Sequence, residues 1–336
     1  MEPSTTPAGP DLSVVIPVYN AEASLEELAV RLEAVFQQLG RTYEIVMVDD
    51  ASRDRSWSVI GRLRDAGAPI RAFQLARNHG QHHALKCGLD HCAGRLAVTM
   101  DDDLQHPPEE IPKLVSAIEG NDEVDVVCGR YHQKAHSLFR NLGASILHRV
   151  DHAIFHTDQR VFLSAFRVMR RRVVDEIRLV RHAQPRIGPI ILSITGRIDN
   201  VPVRHDPRRH GRSGYTLRRL VRETLSSIMN YSSLPLQLMS FIGLGSAAVS
   251  VLLAGTYIAL YFARGIGVSG FTTIVLLILF TSGAVLFSFG LVGEYLRRIV
   301  AQQLMSSQYH VRVELPPLEA KPPRDGGTLA GSESRV

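Results

Sequence analysis

Residues 12–50 read LSVVIPVYNAEASLEELAVRLEAVFQQLGRTYEIVMVDD. Leu12–Val18 is a short, β-branched apolar run with a proline near its end, the pattern of a strand buried on both faces. Leu25, Leu28, Leu32, Val35, Phe36 and Leu39 then recur at helical spacing, and Gly40 stops the helix. Tyr43–Val48 is a second buried strand, closed by Asp49 and Asp50. The alternation continues downstream. Strands are predicted at Ile70–Leu75, Leu96–Met100 and Val124–Cys128, with helices near Arg55–Arg64, Gln81–His91 and Pro108–Glu119. Strand and helix in alternation predict an α/β fold with a parallel sheet covered on both faces. In such sheets ligands bind beyond the carboxyl ends of the strands.

Polar groups stand at four of those ends. Pro17, Tyr19 and Asn20 follow the first strand, Asp49 and Asp50 the second, Arg77, Asn78 and Gly80 the third, and Asp101, Asp102 and Asp103 the fourth. Three consecutive carboxylates repel one another unless a cation lies among them. Hard divalent ions such as Mg²⁺ and Mn²⁺ prefer oxygen ligands, and carboxylates two residues apart at a strand end can converge on one. The other reading of the triplet is an acidic turn capping the helix that starts at Pro107-Pro108.

Farther out, the composition changes. The chain has 336 residues, more than one average domain needs. No charged residue lies between Glu223 and Arg264, nor between Arg264 and Glu294. Each gap can hold the roughly 20 apolar residues of a membrane span. We read Leu236–Phe262 and Phe271–Gly293 as two transmembrane helices joined through Gly265, Gly267 and Gly270. Arg218, Arg219 and Arg222 precede the pair and Arg297 and Arg298 follow it, whereas the connecting turn holds only Arg264. That asymmetry predicts both termini in the cytoplasm. Met1–Pro10 has no apolar stretch to act as a secretory signal. The net charge of +5 suits an anionic membrane surface and phosphate ligands better than nucleic acid.

Two patterns fail on context. His79, His82, His83, Cys87, His91 and Cys92 are spaced as ligands on a helix face, but no second Cys/His cluster completes a zinc site. The three cysteines, with Cys128, form no CxxC pair and fit a reduced compartment. Gly243–Ala248 matches GxGxxA, yet it lies inside an apolar span with no strand before it, where small residues serve helix packing.

IPVYNAE, VDDAS, ARNHGQHHAL, MDDDLQHPPEEIPKL and RRHGRSGYTLRRL occur in that order. Together they resemble glycosyltransferase family 2, in its polyprenyl-phosphate branch, over roughly Leu12 to Ile299. The resemblance implies a GT-A catalytic domain, Rossmann-like with a mostly parallel sheet, followed by the two-helix transmembrane hairpin. The expected plan is a disordered N-terminus (1–11), the GT-A domain (12–215), a juxtamembrane amphipathic helix (216–235), the hairpin (236–293), a cytoplasmic C-terminal segment (294–315) and a disordered tail (316–336). The resemblance further implies that Pro17, Tyr19, Asp49, Asp50, Arg77, Asp101 and Asp102 bind the nucleotide. Asp101, Asp103 and Gln105 would hold Mg²⁺ or Mn²⁺. Arg208, Arg209, Arg212, Ser213 and Tyr215 would form a mobile loop over the donor diphosphate and acceptor phosphate, with Arg130 and Arg140 as further phosphate candidates. Asp101, Asp103 and Arg212 would carry catalysis. A homo-oligomer, a tetramer, is also implied. One departure stands out: Ser164-Ala165-Phe166-Arg167 lacks an acidic residue that many relatives carry, and Asp158 is the candidate replacement.

The implied reaction is inverting transfer of a sugar from a nucleotide-sugar, such as a UDP-sugar, to undecaprenyl or another polyprenyl phosphate at the cytoplasmic membrane face. A phosphate monoester has its second pKa near 6 and needs no general base. Rival readings are a processive polysaccharide synthase and a non-catalytic membrane scaffold of the same fold. The first lacks its Q-x-x-R-W motif, since the only tryptophan is Trp57. Retention of Asp101, Asp103 and Gln105 argues against the second. The donor sugar is not written in the sequence.

Overall fold

β1 (Leu12–Val18) is buried along all seven residues and is paired on both sides. Its neighbours, β2 (Tyr43–Asp49) and β4 (Leu96–Thr99), both run parallel to it, which is why the run carries no polar alternation. The computed structural model describes residues 9–131, 161–182, 185–207, 234–264, 270–303 and 308–317, with side chains inside the two long helices described at some positions only. β3 (Ile70–Leu75) pairs parallel with β2. β5 (Val126–Tyr131), β6 (Arg167–Arg170) and β7 (Ile198–Val203) extend the sheet beyond β4. The described sheet has eight strands in the order β7-β5-β6-β4-β1-β2-β3-β8, with β8 at Val311–Leu315.

Helices cover both faces. α1 (Leu25–Leu39), α2 (Ser56–Asp65) and α4 (Ile111–Glu119) pack on one face, against Val14, Ile16, Ile45 and Met47. α3 (Gln81–His91), α5 (Arg171–Leu179) and α6 (Ile187–Ile194) pack on the other, against Val15, Val46 and Val48. Alternate residues of each central strand therefore feed different cores. α3 lies so close to β1 that a Cβ on Gly88 would collide with Val15.

Four differences from the sequence reading concern the later chain. β5 starts two residues later than expected and runs to Tyr131. β6, absent from the predicted strands, runs antiparallel to both its neighbours within the mostly parallel sheet that was expected. β7 was not expected: IDNVPV is exposed at several positions and carries little apolar signal. Nor was β8, which pairs antiparallel with β3 across more than 230 residues of sequence and is held there by Arg71 on Glu314 (2.7 Å).

Between β7 and β8 lie α7 (Leu234–Arg264, 31 residues) and α8 (Phe271–Gln303, 33 residues). α8 continues ten residues past the expected end of the second span. The dinucleotide-like Gly243–Ala248 sits within α7, with no strand before it. Among the described residues no helix is long and apolar enough to cross a membrane.

Candidate active site at the carboxyl ends of the strands

The parallel register brings the ends of β1, β2 and β4 to one edge, with Val18 beside Asp49 and Thr99 beside Val15. Immediately beyond them the backbone turns through Asn20 (φ 53°), Ala51 (φ 54°) and Leu104 (φ 61°), the three non-glycine residues at positive φ among those described. Non-glycine residues take that conformation at a cost, and only where surrounding contacts hold it. Here the contacts are visible. The Tyr19 amide donates to Asp102 (3.0 Å), the Asn20 amide to the Ser52 hydroxyl (3.0 Å), and the Arg53 amide to the Asn20 side chain (2.8 Å). The three turns are one unit.

Asp49 and Asp50 are buried. Asp49 accepts from the Ser52 amide (3.2 Å) and from Gln74 (3.1 Å). Asp50 accepts from the amides of His79 and Gly80, both at 2.7 Å, and so clamps the loop after β3. Gly80 sits at φ 94°, a conformation that favours glycine. Burial pushes the Asp50 carboxyl above its ordinary value, against the pull of those two amides.

Asp101, Asp102 and Asp103 are half-exposed. Gln81 donates to Asp101 (2.6 Å), and Asp103 accepts the Gln105 amide (3.1 Å). Asp102 is half-exposed as a residue, but its carboxyl is enclosed where it meets the Tyr19 amide; that desolvation, reinforced by the charges of Asp101 and Asp103, pushes it up to about 7 against the pull of the amide. Beneath the turn, Leu104 is buried and His106 is 4% exposed. The Asp101 amide donates to His106 Nδ1 (3.1 Å), which assigns the ring proton to Nε2 facing the Tyr131 hydroxyl (2.8 Å). Burial lowers the His106 pKa, consistent with a neutral ring. Phe166 lies nearly parallel to it at 5.4 Å. His106 thus pins the acidic turn to β5 and β6. Gln105 is tied to Asp206 through its carbonyl (3.1 Å), and Arg204 bonds Glu110 (2.8 Å). Residues 204–206, which precede Arg208 in sequence, are thereby held against the acidic turn and the start of the following helix.

A family model for glycosyl transferase family 2 matches residues 13–178. The undecaprenyl-phosphate 4-deoxy-4-formamido-L-arabinose transferase of Pseudomonas fluorescens (strain Pf0-1) is 36% identical over 293 residues, 86% of this chain and 85% of that protein. The enzyme of the same name from Pseudomonas aeruginosa (strain UCBPP-PA14) gives the same identity and coverage. The chain belongs to glycosyltransferase family 2. A solved relative in fold is glucosyl-3-phosphoglycerate synthase from Mycobacterium tuberculosis, in complex with Mn²⁺, UDP and glucosyl-3-phosphoglycerate. It has TM-score 0.51 and 19% identity, and the match covers 67% of this chain and 81% of that one.

Within this glycosyltransferase, Tyr19, Asp49, Asp50, Asp101, Asp102, Asp103 and Gln105 gather at one edge, and Pro17 lies buried just behind them. Arg77, exposed, follows β3 at the same edge, and Arg130, exposed, ends β5 beside Tyr131. Arg140, Asp158, Arg208, Arg209, Arg212, Ser213 and Tyr215 lie outside the described residues. Ala165 uses its carbonyl to accept the Thr99 hydroxyl (2.6 Å). Cys87, Cys92 and Cys128 are buried free thiols, and burial pushes Cys92 up to about 11. Sequence reasoning passed over His106, Gln81 and Tyr131. His106 stood inside the quoted motif, but nothing local marks it as the support of the turn.

Proposed function

We propose that this glycosyltransferase moves a sugar from a nucleotide-sugar to the phosphate of a polyprenyl lipid, with inversion at the anomeric carbon. The observation that carries this is the extent of the match to the undecaprenyl-phosphate transferases. A match of 293 residues runs far beyond the family 2 region and cannot be placed on this chain without entering α7 and α8. The helical pair thus travels with the catalytic domain in enzymes whose named acceptor is a lipid phosphate.

The donor's nucleotide would lie against Pro17 and Tyr19, with Asp49, Asp50 and Arg77 shaping the base end. Asp101, Asp103 and Gln105 would hold a divalent cation. The donor set fits a hard ion: every side-chain ligand offers oxygen, and two half-exposed carboxylates flank Asp102. Such an ion, held there, would neutralise the charge that develops on a departing diphosphate. The remaining work is alignment. A lipid phosphate is largely dianionic at neutral pH, so no side chain need remove a proton, and the site must set it in line with the anomeric carbon. Arg208, Arg209, Arg212, Ser213 and Tyr215 would close over both phosphates. Arg130 and Arg140 would complete the acceptor side.

We further propose that α7 and α8 cross the membrane as a hairpin. What supports a crossing is the full sequence rather than the described residues alone: 236–262 and 271–293 carry no charged residue, and at 1.5 Å per residue helices of 31 and 33 residues reach across a hydrocarbon layer of roughly 30 Å. Both expose large apolar side chains, among them Phe241, Leu252, Phe280, Leu286 and Phe289, a state expensive in water. The chain before them ends in β7 and the chain after them in β8 of the same sheet. Any crossing must therefore return to its own side, and the arginine asymmetry makes that side the cytoplasm.

Membranes carrying the protein, incubated with undecaprenyl phosphate and a panel of radiolabelled UDP- and GDP-sugars, test the reaction. One donor should give an organic-extractable labelled lipid, abolished by EDTA. Labelled sugar released only into water would show hydrolysis and overturn lipid transfer.

A further inference from the structure

Arg167 opens β6, placed between Thr99 of β4 and Cys128 of β5. Its strand neighbours Phe166 and Val168 belong to the core beneath α1 and α4. Arg167 therefore turns to the opposite face, with Met169, toward α3 and α6. There it is 5% exposed, and its Nε and Nη1 are buried without a hydrogen-bond partner. Arg186, directly ahead of α6 on that face, has a buried Nη1 that also lacks a partner. His82, on the first turn of α3, lies within electrostatic reach of both guanidinium groups. Arg130 stands two residues beyond Cys128 on β5, so it projects from the same face and supplies an exposed cation at the rim.

Folded proteins pair nearly all buried polar atoms and bury arginine almost only when it is paired. Three unpaired guanidinium nitrogens in one region are a costly arrangement for a purely structural purpose. Burial pulls the Arg167 pKa down, opposed by the nearby Cys128, Tyr131 and Asp101, yet a guanidinium stays charged at any physiological pH. The planar fork of arginine matches the oxygens of a phosphate, which it can take in bidentate fashion.

We propose that Arg167 and Arg186 form a buried cationic seat for a phosphate group of one of the two substrates, behind the acidic turn. The assignment rests on the transfer reaction proposed above and adds two residues to which the sequence reading gave no role. The phosphate comes from the lipid acceptor or from the donor diphosphate, and the two sources can be told apart.

The test uses the full-length protein purified in detergent, with thermal unfolding read in the presence of farnesyl phosphate, farnesol or UDP. Farnesyl phosphate or UDP should raise the wild-type midpoint by several degrees, and farnesol should not. Arg167→Met should lose that ligand-induced shift while unfolding at or above the wild-type midpoint, because an unpaired buried charge has been removed. Loss with farnesyl phosphate places the lipid phosphate in the seat; loss with UDP places the diphosphate there. Turnover should follow, with KM for the matching substrate raised at least tenfold. Arg186→Met carries the same test if Arg167→Met does not fold, and Arg167→Lys, which keeps charge but loses the fork, should recover part of the shift. A shift that survives in the Met variants, or no shift in the wild type, overturns the seat. Because this readout needs no turnover, a wild type that binds farnesyl phosphate but transfers no sugar would defeat the transferase reading alone.

Discussion

Two strand ends carry runs of aspartate, and they have opposite fates. After β2, Asp49 and Asp50 are buried, and each carboxylate accepts from two donors of the chain itself. After β4, Asp101 and Asp103 stay half-exposed on a turn whose geometry is set from below, by buried His106 and Leu104. The first pair is bonded into the chain, with Asp50 holding the loop at His79–Gly80. The second is a half-exposed acidic surface. Identical residue types in adjacent turns thus differ in how far the chain's own donors already occupy them.

The largest effect should come from the second run. Asp103→Asn should keep its unfolding midpoint and lose turnover by roughly 10²–10³-fold, the scale of removing one electrostatic stabiliser of a transition state. Wild-type activity should vanish in EDTA and return with Mg²⁺ or Mn²⁺. Near-normal turnover in the variant would erase the distinction between the two runs.

The arginine stretch from Arg208 comes next. On the proposed reading Arg212→Ala would remove a charge-assisted contact to phosphate, about 1.5–3 kcal/mol, and so should slow turnover about 10- to 150-fold. An unchanged midpoint is expected alongside. Intact turnover with a large loss of stability would make the stretch a structural strut.

Asp50→Ala should add what is not expected of Asp103→Asn, a loss of stability, to any loss of nucleotide binding. It strands the His79 and Gly80 amides, at about 1–3 kcal/mol for each unsatisfied group. The loss is partly offset, because ionised Asp50 is itself disfavoured by burial. Since its pKa is raised in the folded state, wild-type stability falls as pH rises from the unfolded value through the raised one. The variant should lack that component. Calorimetry across pH 3–7 would show it, and a variant as stable as wild type would demote the clamp.

Much of this fold is readable from sequence, for a local reason. LSVVIPV and the IVMV of β2 are short apolar runs between breakers, which burial on both faces requires, and IRAFQL keeps four buried apolar positions around Arg71 and Gln74. The β6–β8 half is not readable that way. RVMR and IDNVPV are short and mixed, and β8 pairs with β3 from beyond two long helices, a contact with no local signature. The acidic turn was legible as a string. Its difference from Asp49-Asp50 was not, because that depends on Gln74, His79 and Gly80, brought in by other elements. Arg167 was noticed only as part of a motif that departs from its relatives, since burial without a partner is a property of the packed state.

A third carboxylate sharpens the comparison at its smallest scale. Glu109 ends the same acidic stretch, and Arg31 of α1 grips it with two bonds, at 2.8 and 2.6 Å. That guanidinium, first by hydrogen bonding and then by its charge, holds the Glu109 carboxyl below its ordinary value, with burial opposing. The pair is partly open to solvent, the Glu109 side chain being 42% exposed. Screening therefore limits it to about 0.2–1 kcal/mol. The sign follows from the direction of the shift: the contribution is complete above the unfolded glutamate pKa of about 4.3 and disappears as pH falls through the lowered folded value. Glu109→Gln should thus unfold slightly earlier than wild type at pH 7, match it near pH 3, and narrow the gap in high salt. Turnover should be untouched, since this carboxylate is already committed to Arg31. A large loss of activity in Glu109→Gln would extend the functional acidic surface along the whole stretch from Asp101, and the division between supporting and reacting carboxylates would have to be redrawn.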